Sequence, residues 1–458
     1  MDPLGILADD LTGACDCAAP FAARGARTAV WVRPGAALPS HFRFAAELNL
    51  GLAAELDLGL TQAFGRLGRP RAWDVLAFNT DSRNVTEAEA RSRVRSAALA
   101  LSQAGWPLGF KKVDSTLRGH LSAELEELLA LGVSRAWLAP AFPAQGRTVE
   151  DGRLLVKGVP LEATELSRDG LTPIASGRIA AALGMPCEPI GHLPLALYAQ
   201  GAAALAHHVR FDRARDCRVT VCDAGEQAHL ALLARLLKAP EMAAPRELMV
   251  GSAGLARELA RVLLPAGDSP AAAPTDPPPV PRGIVLAVAG SRQRVTRAQV
   301  DRLAQMPGAR RIELDPAAIG AGEHTARVLD EALARMRTGQ SEGARVLVVT
   351  VGGGAGNGPE GGDLAARARD IREALGRLTA RAVAALAPGG LVLTGGDVAL
   401  AALNALEVEW LAVDGEAAPG IARAHIADGV RRGLAVVTKA GGFGDDETLV
   451  AVSLALGA

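Results

Sequence analysis

The feature that most limits what this chain can become is a recurrence: short runs of β-branched and other apolar residues, separated by longer amphipathic stretches. They stand at residues 4–8, 28–32, 75–79, 109–113 and 135–139, and again at 284–289, 345–351, 391–394 and 434–438. Such runs, bounded by turn formers and spaced by helix-length segments, read as strands of βα units on a mainly parallel sheet. One intervening helix marks its own start, since Thr86 and Glu89 make a capping box ahead of Val94, Ala97 and Ala98. A second is expected over about 122–131, ending at Gly132.

The recurrence is interrupted once. Residues 265–283, PAGDSPAAAPTDPPPVPRG, hold too many prolines for a helix interior or a central strand. At 458 residues the chain is also too long for one ordinary core. The expectation is an α/β protein of two domains, 1–264 and 284–458, each a mainly parallel sheet flanked by helices, joined by a proline-rich linker at 265–283.

Bulk properties exclude more than they select. A formal net charge of −1 gives no field to draw in nucleic acid or a membrane surface, and with aromatics at 3% there is no stacking platform for single strands. Cys15, Cys17, Cys187, Cys217 and Cys222 form no CxxC pair and lie near no His at metal-ligand spacing, so reduced buried thiols are expected. The N-terminus lacks the basic start and apolar stretch of a secretory signal, and each apolar run is broken before membrane-spanning length. The cytoplasm is the expected location.

Open α/β sheets bind ligands beyond the carboxyl ends of their strands, and three strand ends in the first half carry polar clusters. In Ala8-Asp9-Asp10-Leu11-Thr12-Gly13, adjacent carboxylates repel unless a cation, a basic side chain or a hydroxylated ligand lies between them. Alternatively, one Asp caps the following helix and the other is solvated. Asn79-Thr80-Asp81-Ser82-Arg83 reads most simply as a turn leading into a helix. Lys111-Lys112-Val113-Asp114-Ser115-Thr116-Leu117-Arg118-Gly119 says more. Strand alternation puts Lys112 and Asp114 on one side, and a helix starting after Arg118 would aim its free amides there, making a carboxylate or phosphate receptor. Its rival, an edge strand with surface lysines, fits less well because the charges are so tightly packed. Further on, Arg147 in the loop Pro140–Arg147 could face either solvent or ligand.

The second half has three glycine-bearing strand ends. Ala289-Gly290-Ser291 precedes a helix with an expected capping box of Thr296 and Gln299; Thr394-Gly395-Gly396-Asp397 opens an apolar helix over 398–406; Lys439-Ala440-Gly441-Gly442-Phe443-Gly444 follows the last run. Each alone is as well explained as an ordinary βα turn, but three together favour a nucleotide phosphate site. Asp397 reads first as the helix N-cap; it could also hold magnesium or accept a proton. No Walker A loop, HExxH or GxSxG is present, and the GxGxxG at Gly356, Gly358 and Gly361 contains Pro359 and is displaced from its strand, so it reads as a loop.

In these residues the chain resembles the four-carbon acid sugar kinase family, whose members phosphorylate threonate, erythronate or 3-oxo-tetronate with ATP. The resemblance rests on ADDLTGA (8–14), KKVDSTLRG (111–119), PAFPAQGRTVEDG (140–152), GSAGLA (251–256), TGGD (394–397) and KAGGFG (439–444), in family order over nearly the whole chain. The chain departs from the family pattern at Val398 and Ala418, and in the glycine run from Gly352 to Gly362. The resemblance implies a sugar-acid domain before the linker, a nucleotide domain after it, and an active site in the cleft between them. It implies a substrate site of Asp9, Asp10, Thr12, Asp81, Arg83, Lys111, Ser115 and Arg118. Lys112, Asp114 and Asp397 would do the catalytic work, and Ser291, Gly395, Gly396, Gly441 and Gly442 would hold ATP. Mg2+ would accompany the phosphates, with its ligands left open. The partners are then a small sugar acid and ATP, with neither nucleic acid nor membrane; a homo-oligomer is left open. A non-catalytic sugar-acid sensor on the same fold is the alternative, and a nicotinamide dehydrogenase lacks its fingerprint here.

Overall fold

The computed structural model describes residues 1–34, 73–168, 174, 176–184, 189–265, 283–291, 293–320, 322–352 and 364–458. Nearly all of the expected linker, Cys187, and the glycine run beyond Gly352 lie outside the described residues. Each apolar run named above is a strand, displaced by no more than one residue at either end.

In the first half the parallel strands lie in the order Thr28–Trp31, Val75–Asn79, Leu4–Ala8, Leu108–Lys112, Glu247–Gly251, Arg135–Ala139, Val219–Cys222 and Ile190–Leu193. In the second the order is Ala309–Leu314, Val346–Val351, Val285–Ala289, Gly390–Thr394 and Ala435–Lys439. Helices cover these strands, which is why most of them read as continuous apolar runs rather than alternating ones. The helix Glu87–Gln103 has the expected reciprocal capping box from Thr86 and Glu89, and the next helix is Leu121–Ala130. Cys15, Cys17, Cys217 and Cys222 are buried free thiols.

The two parallel arrays do not stand as separate sheets. They form one 15-stranded sheet through an antiparallel ribbon, Trp410–Ala418 and Ile421–Ile426, that the apolar pattern did not single out. Pro419 and Gly420 make the ribbon's turn, Gly420 at φ +74°. On one side Ile421–Ile426 pairs with Ala435–Lys439; on the other Trp410–Ala418 pairs with Thr28–Trp31, setting Trp410 opposite Trp31 and Val413 opposite Thr28. The ribbon thereby satisfies backbone groups on the outer side of Thr28–Trp31 that burial would otherwise strand.

Each of these steps is antiparallel, so the two parallel arrays run in opposite senses. The helix Leu11–Ala22 is buried at every residue and packs on strands of both arrays and on the helix Gly396–Ala405. Carboxyl ends of strands from the two halves meet at its start.

Candidate active site

The first three clusters converge. Arg83 lies between the adjacent carboxylates: its Nε donates to Asp9 Oδ2 at 2.7 Å, and its Nη1 and Nη2 donate to Asp10 at 2.9 and 2.8 Å. The bidentate fork answers the repulsion that the sequence poses at Asp9-Asp10. Asp10 is also the helix N-cap, accepting from Gly13 N at 2.9 Å and from Thr12 Oγ1 at 2.6 Å. Capping and site-building therefore coincide in one side chain. Asp114 accepts from Arg118 Nε at 2.7 Å and from Thr116, with Arg83 4.0 Å away.

Lys112 is buried, stands 4.0 Å from Asp9 Oδ1, and makes no hydrogen bond through Nζ among the described residues. Together with Asp10, Thr12, Arg83, Asp114 and Ser115 it lines a small pocket, closed on its other side by Ala440 and Phe443 of the second half. Burial works against charge on Asp9, but Arg83 and Lys112 outweigh it and hold the carboxyl below its usual range. For Asp114, burial is likewise outweighed, by Arg118 and Arg83, and the carboxyl is well below that range.

Two expected members are elsewhere. The pleat turns Lys111 away from Lys112: it is fully buried and pairs with Glu124 at 2.5 Å under the helix Leu121–Ala130, so it does not face the pocket. Asp81, in the left-handed region at φ +48°, bonds Arg93 at 2.9 Å and looks towards Asp397. Burial, eased by Arg93 and reinforced by the Asp397 charge, pushes its carboxyl up to about 6.

In the second half the glycine turns come together at the ends of three neighbouring strands. A Cβ on Gly441 would stand 2.3 Å from Ser291 Oγ, and one on Gly395 3.9 Å from Ser291 Cβ. The expected Thr296–Gln299 capping box is absent, because the helix starts at Arg294 with Gln293 as its cap. Thr296 and Gln299 point inward and tether the following turn instead, donating to Gly441 O at 2.7 Å and to Phe443 O and Asp445 O at 3.0 and 2.7 Å. Asp397 is not the N-cap either. Gly395, at φ +99°, takes that place, and Asp397 sits in the first turn with its carboxylate accepting from Asn84 Nδ2 of the first half at 3.1 Å.

The halves are in contact across this seam. A Cβ on Gly396 would come 2.5 Å from Asp10 Oδ2 and 3.3 Å from Thr12 Oγ1, so any side chain there would force the Asp10 carboxylate or the helix to shift. Gln145 donates to Pro419 O at 2.9 Å, and Phe142 meets Phe443 edge-on at 5.6 Å. The GSAGLA string supports the same loop: Ser252 Oγ donates to Ala141 O at 2.6 Å, and a Cβ on Gly254 would be 2.9 Å from that oxygen.

Sequence reasoning passed over Asp16, Asn84 and Lys439. Asp16 lines the pocket from the helix Leu11–Ala22, and its Oδ1 has no hydrogen-bond partner among the described residues. Burial, partly offset by Lys112, pushes its carboxyl up to about 7. The available signal was a carboxylate inside an apolar helix. Lys439 is buried and donates to Ala440 O, Gly441 O and Phe443 O at 2.9, 3.3 and 3.1 Å, shaping the glycine turn from beneath. Burial pushes it down to about 7. Its signal was a lysine ending a buried strand, as Lys112 does.

Residues 4–259 match the family described as Sugar-binding N-terminal domain, and residues 286–449 that described as Nucleotide-binding C-terminal domain. The chain is 33% identical to the D-threonate kinase of Bordetella bronchiseptica, covering 99% of this chain and 97% of that one. It is 28% identical to the D-erythronate kinase of Heliobacterium modesticaldum (98% and 95% covered) and 29% to the 3-oxo-tetronate kinase of Cupriavidus necator (96% and 94%). Crystal structures from Salmonella typhimurium (TM-score 0.72, 19% identity, 99% of each chain covered) and Haemophilus influenzae (0.62, 20%, 98% of each) share the fold. No helix among the described residues is long and apolar enough to cross a membrane. With matches spanning both halves and relatives aligned almost end to end, the chain belongs to the four-carbon acid sugar kinase family, a family of sugar-acid kinases.

Proposed function

We propose that this chain transfers the γ-phosphoryl group of ATP to the terminal hydroxyl of a four-carbon sugar acid such as threonate, erythronate or 3-oxo-tetronate, in the cytoplasm. The observation that carries the reading is Gly396 lying against Asp10 and Thr12. A glycine turn suited to phosphate thereby abuts the charged pocket, as direct transfer between two bound substrates requires. We place the division between the sugar-acid and nucleotide halves at residues 265–283.

In this reading Lys112, whose Nζ has no hydrogen bond of its own, and Arg118 receive the acid's carboxylate. Arg83 is already engaged by Asp9 and Asp10, so it holds those carboxylates in place rather than binding the acid. Asp9 and Asp114 take the hydroxyls. Asp10, whose two oxygens are already filled by Gly13, Thr12 and Arg83, orders the seam, and the proton of the attacking hydroxyl goes to Asp114 or Asp397. On the far side the first-turn amides of the helix Gly396–Ala405 and those of Gly441 and Gly442, which donate to no other described residue, receive phosphate oxygens with Ser291. Phosphoryl transfer asks mainly for positioning and charge stabilisation, and this arrangement supplies both.

Among the described residues no three carboxylate, His or Cys side chains form a metal cage. Mg2+ bound with a nucleotide needs only one or two carboxylates besides phosphate oxygens and water, and Asp397 beside Gly396 fits that demand. Bound there, the ion would neutralise phosphate charge. The test is coupled ADP release on a panel of four-carbon acids. Release that depends on one acid is expected; acid binding without release would replace the kinase with a sensor.

A further inference from the structure

Arg147 follows Gly146, which is left-handed at φ +70°, and its side chain runs into the seam between the halves. The residue is 6% exposed. It has no carboxylate at ion-pair distance among the described residues, unlike Arg83 and Arg118. Its guanidinium is held only by neutral groups: Nη1 donates to Gln145 O, Nη2 donates to Gly442 O at 3.3 Å, and the ring of Phe443 lies 5.4 Å from its centre. Nε is buried with no acceptor among the described residues. Burial accordingly lowers its proton affinity, which Asp114 offsets only in part.

A buried cation with no counter-ion is costly unless an anion arrives. Its position says which anion. On one side stands the pocket, through Phe142 and the nearby Asp114; on the other stands the glycine turn, where a Cβ on Gly442 would be 3.4 Å from Nη2. From this geometry we infer that Arg147 is a catalytic residue that binds the phosphoryl group in flight between the two substrates, an inference that rests on the kinase reading. In that step the bond from γ-phosphorus to the β–γ bridging oxygen breaks and its electron pair leaves with ADP. A bond forms from phosphorus to the acid's hydroxyl oxygen, whose proton passes to Asp114 or Asp397. The guanidinium, with Nε free and Nη2 weakly held, gains acceptors on the phosphoryl oxygens as this proceeds.

The experiment is steady-state kinetics on Arg147→Ala and Arg147→Lys in the full chain, beside binding of ADP with aluminium fluoride in the presence of the acid. Arg147→Ala is expected to lower kcat by roughly 10²–10³-fold, as loss of one transition-state donor does. Both KM values should stay within about threefold of wild type. Free guanidinium should restore part of kcat, and binding of the fluoride complex should fall while binding of ADP alone holds. If Arg147 were only a strut between the halves, ADP affinity and melting temperature would fall together, guanidinium would not rescue, and Arg147→Lys would behave as wild type; that pattern overturns the inference. A loss confined to the KM for the acid overturns it too. A wild type that turns over normally beside an equally active Arg147→Ala sinks this inference alone, whereas a wild type that releases no ADP with any acid sinks the kinase reading and this one with it.

Discussion

Asp16 shows how much one helical position can hide. It lies inside the helix Leu11–Ala22 with an Oδ1 unpartnered among the described residues, near Lys112, and titrates near 7 where an ordinary aspartate titrates near 3.8. A carboxyl raised in this way binds its proton more tightly folded than unfolded. Its favourable contribution is therefore complete below about 3.8, fades as the pH climbs, and is fully lost above about 7. Removing the titration should reverse that trend. Thermal melts from about pH 5 to about pH 8 should find Asp16→Asn gaining stability relative to wild type as the pH rises. Lys112's attraction for the ionised carboxylate is already contained in the value of about 7, since it partly offsets burial, and Lys112 itself stays charged over this range because Asp16, Asp9 and Asp10 outweigh its burial. A difference that does not change with pH would contradict the assignment. The cluster of Asp9, Asp10, Arg83, Lys112 and Asp114 was readable in the sequence because its members sit together at strand ends. Asp16 was not, since nothing in ACDCAA tells which side of a buried helix faces a cavity. Lys111 failed for a related reason: alternation says that Lys111 and Lys112 point apart, but not which of them faces the cleft.

At the level of elements, the helix Gly396–Ala405 and the turn before it set how closely the halves approach. A methyl at Gly396 would have to displace the Asp10 carboxylate or push the helix back. Gly396→Ala should lower kcat by about 10-fold or more, on the argument that small misplacement of reacting groups is costly. The melting temperature should move by only a few degrees, because the displaced groups border a pocket rather than the core. Unchanged kcat in a crystallographically unshifted protein would mean that the seam is looser than it stands here. Nine strands of the two arrays were legible because burial on two faces leaves an apolar run, whereas Ile190–Leu193, Val219–Cys222, Glu247–Gly251 and Ala309–Leu314 were not singled out. The ribbon Trp410–Ala418 and Ile421–Ile426 was not, since Asp414, Glu416, Arg423 and His425 interrupt its apolar residues. Those side chains pair with one another and with Arg257, Asp414 with His425 at 2.8 Å and Glu416 with Arg257 at 2.7 Å. Likewise Thr296 and Gln299 carry the letters of a capping box while serving as tethers, a difference only the three-dimensional start of the helix could reveal.

For the whole molecule, the ribbon ladder and the buried helix Leu11–Ala22 tie both halves into one body. Neither half can lose its sheet without exposing backbone and apolar surface of the other. Calorimetry should therefore record a single unfolding transition despite the proline-rich interruption, and two well-separated transitions would refute that coupling. The same joining has a consequence for life at high concentration. A sheet's outermost strands offer unpaired amides and carbonyls to any neighbouring chain and are where aggregation begins. Two separate sheets would leave twice as many such strands to guard. Among the described residues, only Ile190–Leu193 and Ala309–Leu314 remain outermost in this large sheet, and the latter turns Arg310, Arg311 and Glu313 to solvent. By spending one border of each half on the other, the chain leaves fewer places for a second copy to stick, and it sets charge on one of those that remain.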